Sequence, residues 1–170
     1  MPALRLSTFK ARDREFFGAV TESGIVDLNA RLNGKYAALI DLIRARAVKE
    51  AREAASGKHD LQLSDVEFLP PIPKPEKIIC VGINYPERAG EYKDKREQPK
   101  YPNLFVRFPD SLAGHEHPIL RPKVSEKFDY EGEIVLVIGR EGRNVPRDKA
   151  LSMVFGLTLG NEGSVRDWLR

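Results

Sequence analysis

The 170-residue sequence has little that would mark an exported or membrane protein. It contains one cysteine, Cys80, which excludes an internal disulfide and is typical of a reducing compartment. No stretch is apolar for long enough to span a bilayer, and the N-terminus lacks an apolar run of signal-peptide length. These absences predict a cytoplasmic protein that does not enter a membrane.

The sequence also lacks a block of charge of one sign. Its 28 Lys and Arg residues are interspersed with 25 Asp and Glu residues, for a formal net charge of +3. A nucleic-acid-binding face needs clustered basic residues, so we expect no nucleic-acid partner. Hydrophobic residues make up 41% and charged residues 31% of the chain, as in a globular protein.

The order of alternating, helical and proline-rich segments predicts a small N-terminal domain of mixed α and β structure. Residues 3–28 alternate like a β meander, and residues 34–55 carry apolar side chains at helical spacing. The proline-rich stretch 66–77 is typical of a stiff, extended connector. We therefore predict a small domain over residues 1–69, a linker over 70–77 and the first part of a second domain over 78–170.

The second region has the composition of a sheet. Strands are predicted over residues 77–84, 103–108 and 129–140, a helix over 146–154, and a further extended segment over 156–162. A sheet that begins at residue 77 has few strands by residue 170. We expect the domain to be incomplete at its C-terminus, or to be completed by another chain.

Acidic residues open the strongest predicted strand, DYEGEIVLVIGR. Glu131 and Glu133 are two residues apart, so their side chains share one face of a strand. Carboxylates are the preferred ligands of Mg²⁺, Mn²⁺ or Ca²⁺. Glu162, at the end of another extended segment, is a candidate third ligand, and Asp129 a candidate hydrogen-bond partner. The alternative is a solvated strand end whose acids pair with nearby Lys or Arg.

Two other motifs allow a site but are explained more simply. In CVGINYPERAGEY, Glu91 is a candidate general base and Arg88 a candidate partner for a substrate carboxylate, although the segment also fits an ordinary amphipathic helix. His115 and His117 form an H-x-H pattern, but the flanking glycine and proline favour a turn over a metal site.

Four segments taken together resemble the fumarylacetoacetate hydrolase family in order and spacing. They are KIICVGINY, PNLFVRFPDSLAGHEHPILRP, DYEGEIVLVIGR and GLTLGNEGSVRDW, which span Lys77 to Arg170. The resemblance implies a mixed α+β, mainly β fold, with a β roll preceded by the small N-terminal domain. It also implies a Mg²⁺ or Mn²⁺ cofactor, a small-molecule 2-oxo acid substrate and a homodimer.

Most of the family's site residues have a matching residue in this sequence, and two positions carry a different residue type. Glu131 and Glu133 match the family's E-x-E metal ligands, whereas Glu162 stands where an aspartate is usual. Glu91 matches the glutamate of a His–Glu pair, but Arg88 occupies the histidine position. Since arginine stays protonated, it cannot act as a general base, which disfavours hydrolysis through an activated water.

The resemblance implies chemistry through a metal-stabilised enolate of an unsaturated 2-oxo (di)carboxylic acid. The NEGSVRDW form is similar to a subgroup labelled 5-carboxymethyl-2-hydroxymuconate isomerase or 2-hydroxyhepta-2,4-diene-1,7-dioate isomerase. These are labels of aromatic catabolism, so isomerisation is expected. Hydrolysis, hydration or decarboxylation of a related acid is the first alternative, and an inactive fragment or scaffold the second. Candidate substrate-binding residues are Tyr85, Arg107 and Arg166.

Overall fold

The N-terminal β meander is present as predicted in the computed structural model, which describes residues 3–85 and 100–169. Its strands are β1 (Arg5–Ala11), β2 (Arg14–Val20) and β3 (Ile25–Asp27). A short strand, β4 (Glu67–Phe68), pairs with β1 and completes an antiparallel sheet of order β3-β2-β1-β4.

Aromatic side chains hold this sheet together. Phe9 pairs with Phe16 across β1 and β2, and with Phe68 across β1 and β4. The Phe9 ring centroid lies 5.4 Å from that of Phe16 and 5.0 Å from that of Phe68. Phe9 and Ile25 are fully buried, so the apolar positions of the meander form a core.

The predicted helical region is confirmed but is divided. It contains α2 (Leu39–Arg44) and α3 (Val48–Ala54), and a short α1 (Leu28–Arg31) precedes them. Arg46 has a φ of 54°, a left-handed conformation that a continuous helix does not allow. The apolar spacing over 34–55 therefore reflects two short helices, each with buried apolar residues, such as Leu42 in α2 and Ala51 in α3.

The C-terminal region consists of paired strands. They are β5 (Ile78–Val81), β6 (Leu104–Arg107), β7 (Phe128–Asp129), β8 (Gly132–Ile138), β9 (Val154–Asn161) and β10 (Ser164–Val165). The antiparallel pairs are β5 with β6, β8 with β9, and β7 with β10. The strand predicted over 129–140 is thus two strands, because its first residues pair with β10 and the rest with β9.

The helix predicted over 146–154 is shorter than expected. It contains one α turn, α4 (Arg147–Ala150), followed by a 3₁₀ turn over Leu151–Met153. Val154 already belongs to β9, where it pairs with Ile138. Strand pairing therefore overrides the helical spacing at the end of this segment.

The described residues divide into two compact units. One contains Met1–Pro71 with Ala113–Arg170, and the other contains Ile72–Leu112. The predicted boundaries at 1–69, 70–77 and 78–170 stay a prediction. Among the described residues, no helix has the length and apolarity needed to cross a membrane.

Candidate active site

Glu131 and Glu162 lie opposite each other, between the β7–β10 pair and the β8–β9 pair. The backbone N–H of Glu131 donates to the carbonyl of Glu162 at 3.0 Å, and the N–H of Glu162 donates to the carbonyl of Glu131 at 2.8 Å. This reciprocal pair is the hydrogen-bonded pair of an antiparallel ladder, in which both side chains point to the same face. The ladder therefore brings the predicted third acid beside the first.

Glu133 extends the same acidic face along β8. It follows Glu131 by two residues and therefore points the same way. Its cross-strand partner is Gly160, which has no side chain to fill the space opposite. The three predicted metal ligands, Glu131, Glu133 and Glu162, thus share one face, which we call the acidic face.

A cation of the chain itself lies against this face. Arg166 donates from Nε to Oδ2 of Asp129 at 3.1 Å and from Nη1 to Oε1 of Glu131. Its side chain is 18% exposed, so the guanidinium is largely withdrawn from water. The sequence also allowed that the acids at the start of this strand pair with a nearby Lys or Arg. Asp129 and Glu131 do so, with Arg166.

The position of Arg166 is fixed by the chain on both sides of it. Its own N–H donates to the carbonyl of Lys127 at 2.8 Å and continues the pairing of β10 with β7. The next residue, Asp167, accepts a hydrogen bond from the Ser125 hydroxyl at 2.7 Å. Sequence reasoning missed Ser125, because nothing in its neighbourhood marks it as the buried partner of a residue 42 positions away.

The acidic face fits a divalent ion in residue type and strand register, but its side chains do not form a closed ligand set. Within residues 3–85 and 100–169, no three His, Cys, Asp or Glu side chains converge closely enough to hold a metal ion. Glu131 is engaged by Arg166 through one carboxylate oxygen. Hard oxygen donors on a common face nevertheless match the preference of Mg²⁺ and Mn²⁺.

Two of the remaining predicted site residues belong to the other compact unit. Tyr85, just after β5, and Arg107, at the end of β6, belong to the unit Ile72–Leu112. Both are exposed, and the Arg107 guanidinium lies 5.4 Å from the Phe105 ring centroid. Glu91 and Arg88 lie outside the described residues. The roles assigned to these four residues stay predictions.

The two histidines of the H-x-H pattern are directed to β4. Nε2 of His117 lies 3.0 Å from Oε1 of Glu67, and the His115 ring packs edge-on against Phe68 at 5.7 Å. Backbone approaches closely here, since a Cβ on Gly114 would lie 2.0 Å from the carbonyl oxygen of Phe68. The histidines therefore join a turn to the N-terminal sheet, as the flanking glycine and proline indicated.

The chain matches a known protein family and is similar in sequence to a named relative. Residues 77–170 match the family described as fumarylacetoacetate (FAA) hydrolase C-terminal. The chain is 34% identical over 174 residues to the mitochondrial oxaloacetate tautomerase of Xenopus laevis, covering 98% of this chain and 54% of that protein. The name of that relative places it in mitochondria, so the cytoplasmic location stays a prediction.

Solved structures show the same fold. A maleylpyruvate hydrolase from Sphingobium, in complex with manganese(II) and pyruvate, is 29% identical with a TM-score of 0.75, covering 95% of this chain and 59% of that one. A 5-carboxymethyl-2-hydroxymuconate delta-isomerase from Mycobacterium smegmatis is 24% identical with a TM-score of 0.66, covering 96% and 56%. The predicted mixed, mainly β fold is confirmed, and this chain spans just over half the length of these proteins.

Proposed function

The chain belongs to the fumarylacetoacetate hydrolase family through residues 77–170, and from this we propose that it forms the metal-binding part of an enzyme that isomerises a 2-oxo dicarboxylic acid. The specific reaction proposed is keto–enol tautomerisation. This proposal agrees with the isomerisation expected from the sequence. It is supported by the similarity to an enzyme named oxaloacetate tautomerase.

One observation carries the proposal: the reciprocal backbone pairing of Glu131 with Glu162 beside Glu133. Like charges placed opposite each other in a ladder are destabilising unless a cation lies near them. Arg166 lies near the face and binds Asp129 as well as one oxygen of Glu131. A face that presents several carboxylate oxygens suits Mg²⁺ or Mn²⁺, and the related maleylpyruvate hydrolase was solved with manganese(II).

The proposed mechanism assigns separate tasks to the residues of the chain. Glu131, Glu133 and Glu162 would hold the ion, which when bound supplies Lewis-acid stabilisation of negative charge on the keto oxygen. Glu91 would take a proton from the carbon next to the keto group and return it to the keto oxygen, so that one proton moves and Glu91 ends the cycle as a carboxylate. Arg88, Arg107 and Tyr85 are proposed to bind the substrate, the two arginines through its distal carboxylate.

Hydrolysis is the second candidate, supported by the similarity to a maleylpyruvate hydrolase. We rank it lower because Arg88 occupies the position of the family's histidine. A permanently protonated guanidinium orients an anion but cannot accept the proton of an attacking water. Tautomerisation requires no such water, so it is less affected by this substitution.

The experiment is a tautomerase assay on the purified protein with Mn²⁺. The enol form of oxaloacetate is added, and the loss of the enol is followed by its ultraviolet absorbance. The masses of the products are then measured by mass spectrometry. We expect Mn²⁺-dependent conversion to the keto acid, and a loss of roughly 100-fold in Glu133→Gln. The matched control is Glu141→Gln, an exposed acid in a loop. Equal rates in Glu133→Gln and wild type would contradict the proposal, and products of lower mass would favour cleavage.

A further inference from the structure

Ser125 is a buried hydroxyl outside the acidic face, yet it is connected to that face through two residues. It is 4% exposed. Its Oγ donates to Oδ1 of Asp167 at 2.7 Å and accepts from the backbone N–H of Lys127 at 3.0 Å. Both hydrogen-bonding directions of the hydroxyl are thus in use, which fixes its rotamer.

The hydrogen bond from Ser125 to Asp167 also restricts the backbone of the preceding residue, Arg166. Asp167 directly follows Arg166 within the 3₁₀ turn Arg166–Trp168. With the Asp167 side chain bound to Ser125 and the Arg166 N–H bound to Lys127, the backbone of Arg166 is fixed at both ends. The guanidinium then extends to Asp129 and Glu131 from a defined starting point.

The contact of Arg166 with Glu131 uses only one carboxylate oxygen. Nη1 of Arg166 donates to Oε1, and within the part of the chain that the structure describes Oε2 accepts no hydrogen bond. A carboxylate held in this way offers one oxygen to an ion. Single-oxygen coordination suits the compact octahedral shell of Mg²⁺ and Mn²⁺ better than the larger shell of Ca²⁺, which favours two-oxygen coordination.

We propose that the Ser125–Asp167 hydrogen bond is a positioning unit for the metal site, acting through Arg166 on the side chain of Glu131. This inference rests on the proposed function, since it assumes that Glu131 is a metal ligand. Groups that orient ligands in this manner influence metal affinity without touching the ion. Ser125 and Asp167 are accordingly positioning residues and take no part in the reaction.

The test is calorimetric titration of the purified protein with Mn²⁺. Ser125→Ala is expected to weaken binding about tenfold, the lower end of the range for groups that orient ligands. Ser125→Thr keeps the hydroxyl and should restore affinity. Asp167→Ala removes the bond from the exposed end and provides a second variant if Ser125→Ala does not fold. Ser152→Ala is the control, since it removes an exposed hydroxyl that donates to the carbonyl of Lys149.

A double-mutant cycle separates positioning from general loss of structure. In an Arg166→Gln background, Ser125→Ala should cause no further loss of Mn²⁺ affinity, because the path to Glu131 is already broken. The same loss in both backgrounds, or an unchanged affinity in Ser125→Ala and Asp167→Ala, would overturn the inference. A wild-type protein that does not bind Mn²⁺ would instead overturn the proposed function, and this inference with it.

Discussion

Single residues determine how the acidic face behaves. Four carboxylates lie around it, from Asp129, Glu131, Glu133 and Glu162, and one guanidinium from Arg166 binds two of them. The side-chain spacing of the E-x-E motif could be predicted from sequence, because strand geometry fixes which residues share a face. The Arg166 contacts could not, because they depend on the register of β7 with β10, which no local pattern in either strand specifies.

Asp60 provides a prediction for pH dependence in the N-terminal region. Its carboxylate accepts hydrogen bonds from Nε and Nη2 of Arg31 at 3.0 and 2.9 Å, and from the backbone N–H of Asp27 at 2.9 Å. The Arg31 hydrogen bond is the main reason that the pKa of Asp60 lies below its usual value, and partial burial opposes it. The stabilisation is therefore complete above the unfolded pKa and is lost as the pH falls through the folded pKa.

Asp60→Asn should lower the free energy of unfolding by roughly 1 kcal/mol at pH 7, since the ion pair is partly exposed. The difference from wild type should shrink as the pH falls below about 4. Urea unfolding of both proteins at a series of pH values measures this difference in the free energy of unfolding. Asp148→Asn is the control, because its carboxylate makes an exposed contact with the adjacent Lys149. A difference that stays constant down to pH 2 would refute the assignment.

At the scale of elements, the ribbon of β8 and β9 has two unlike faces. The acidic residues share one face with Val135 and Val137. The opposite face presents large aliphatic side chains, and Ile134, Leu136, Leu157 and Leu159 are 62%, 54%, 68% and 83% exposed. A two-stranded ribbon is marginally stable alone, and exposed apolar faces of this kind mark interaction sites.

We predict that a second copy of the chain covers this aliphatic face, in agreement with the homodimer expected from sequence. The pair Leu157→Gln and Leu159→Gln should then shift the purified protein toward monomer in sedimentation equilibrium. Mn²⁺ affinity should change little, because the acids lie on the other face. Thr158→Gln, on the acidic side of β9, is a matched control for association. A wild-type protein that is monomeric at every concentration would exclude this role.

The strands and helices differ in how well the sequence predicts them. The N-terminal meander is predicted closely, because each strand is short, alternating and bounded by turn residues. The end of the helix over 146–154 is not, because the pairing of Val154 with Ile138 decides it. The break between α2 and α3 at Arg46 could not be predicted either. Arg46 adopts a left-handed conformation, which in a sequence is normally indicated by glycine or asparagine and not by arginine.

For the whole molecule, the first 71 residues and the last 58 belong to one compact unit, yet their chemistry differs. The fully buried large side chains lie in the N-terminal region. The C-terminal region carries the acids and matches the family. A family resemblance spread over four segments could be recognised from sequence, whereas the partners of each acid required the pairing of distant strands.

Titration of the purified protein with Mn²⁺ by calorimetry tests the central claim most directly. Wild type is compared with the double variant Glu131→Gln/Glu133→Gln, in which two of the three proposed ligands lose their charge while keeping their size. We predict saturable binding by wild type that is absent in the double variant, because a hard cation requires carboxylate oxygens here. Binding of equal strength in both proteins, or none in wild type, would contradict the assignment of the acidic face as a metal site.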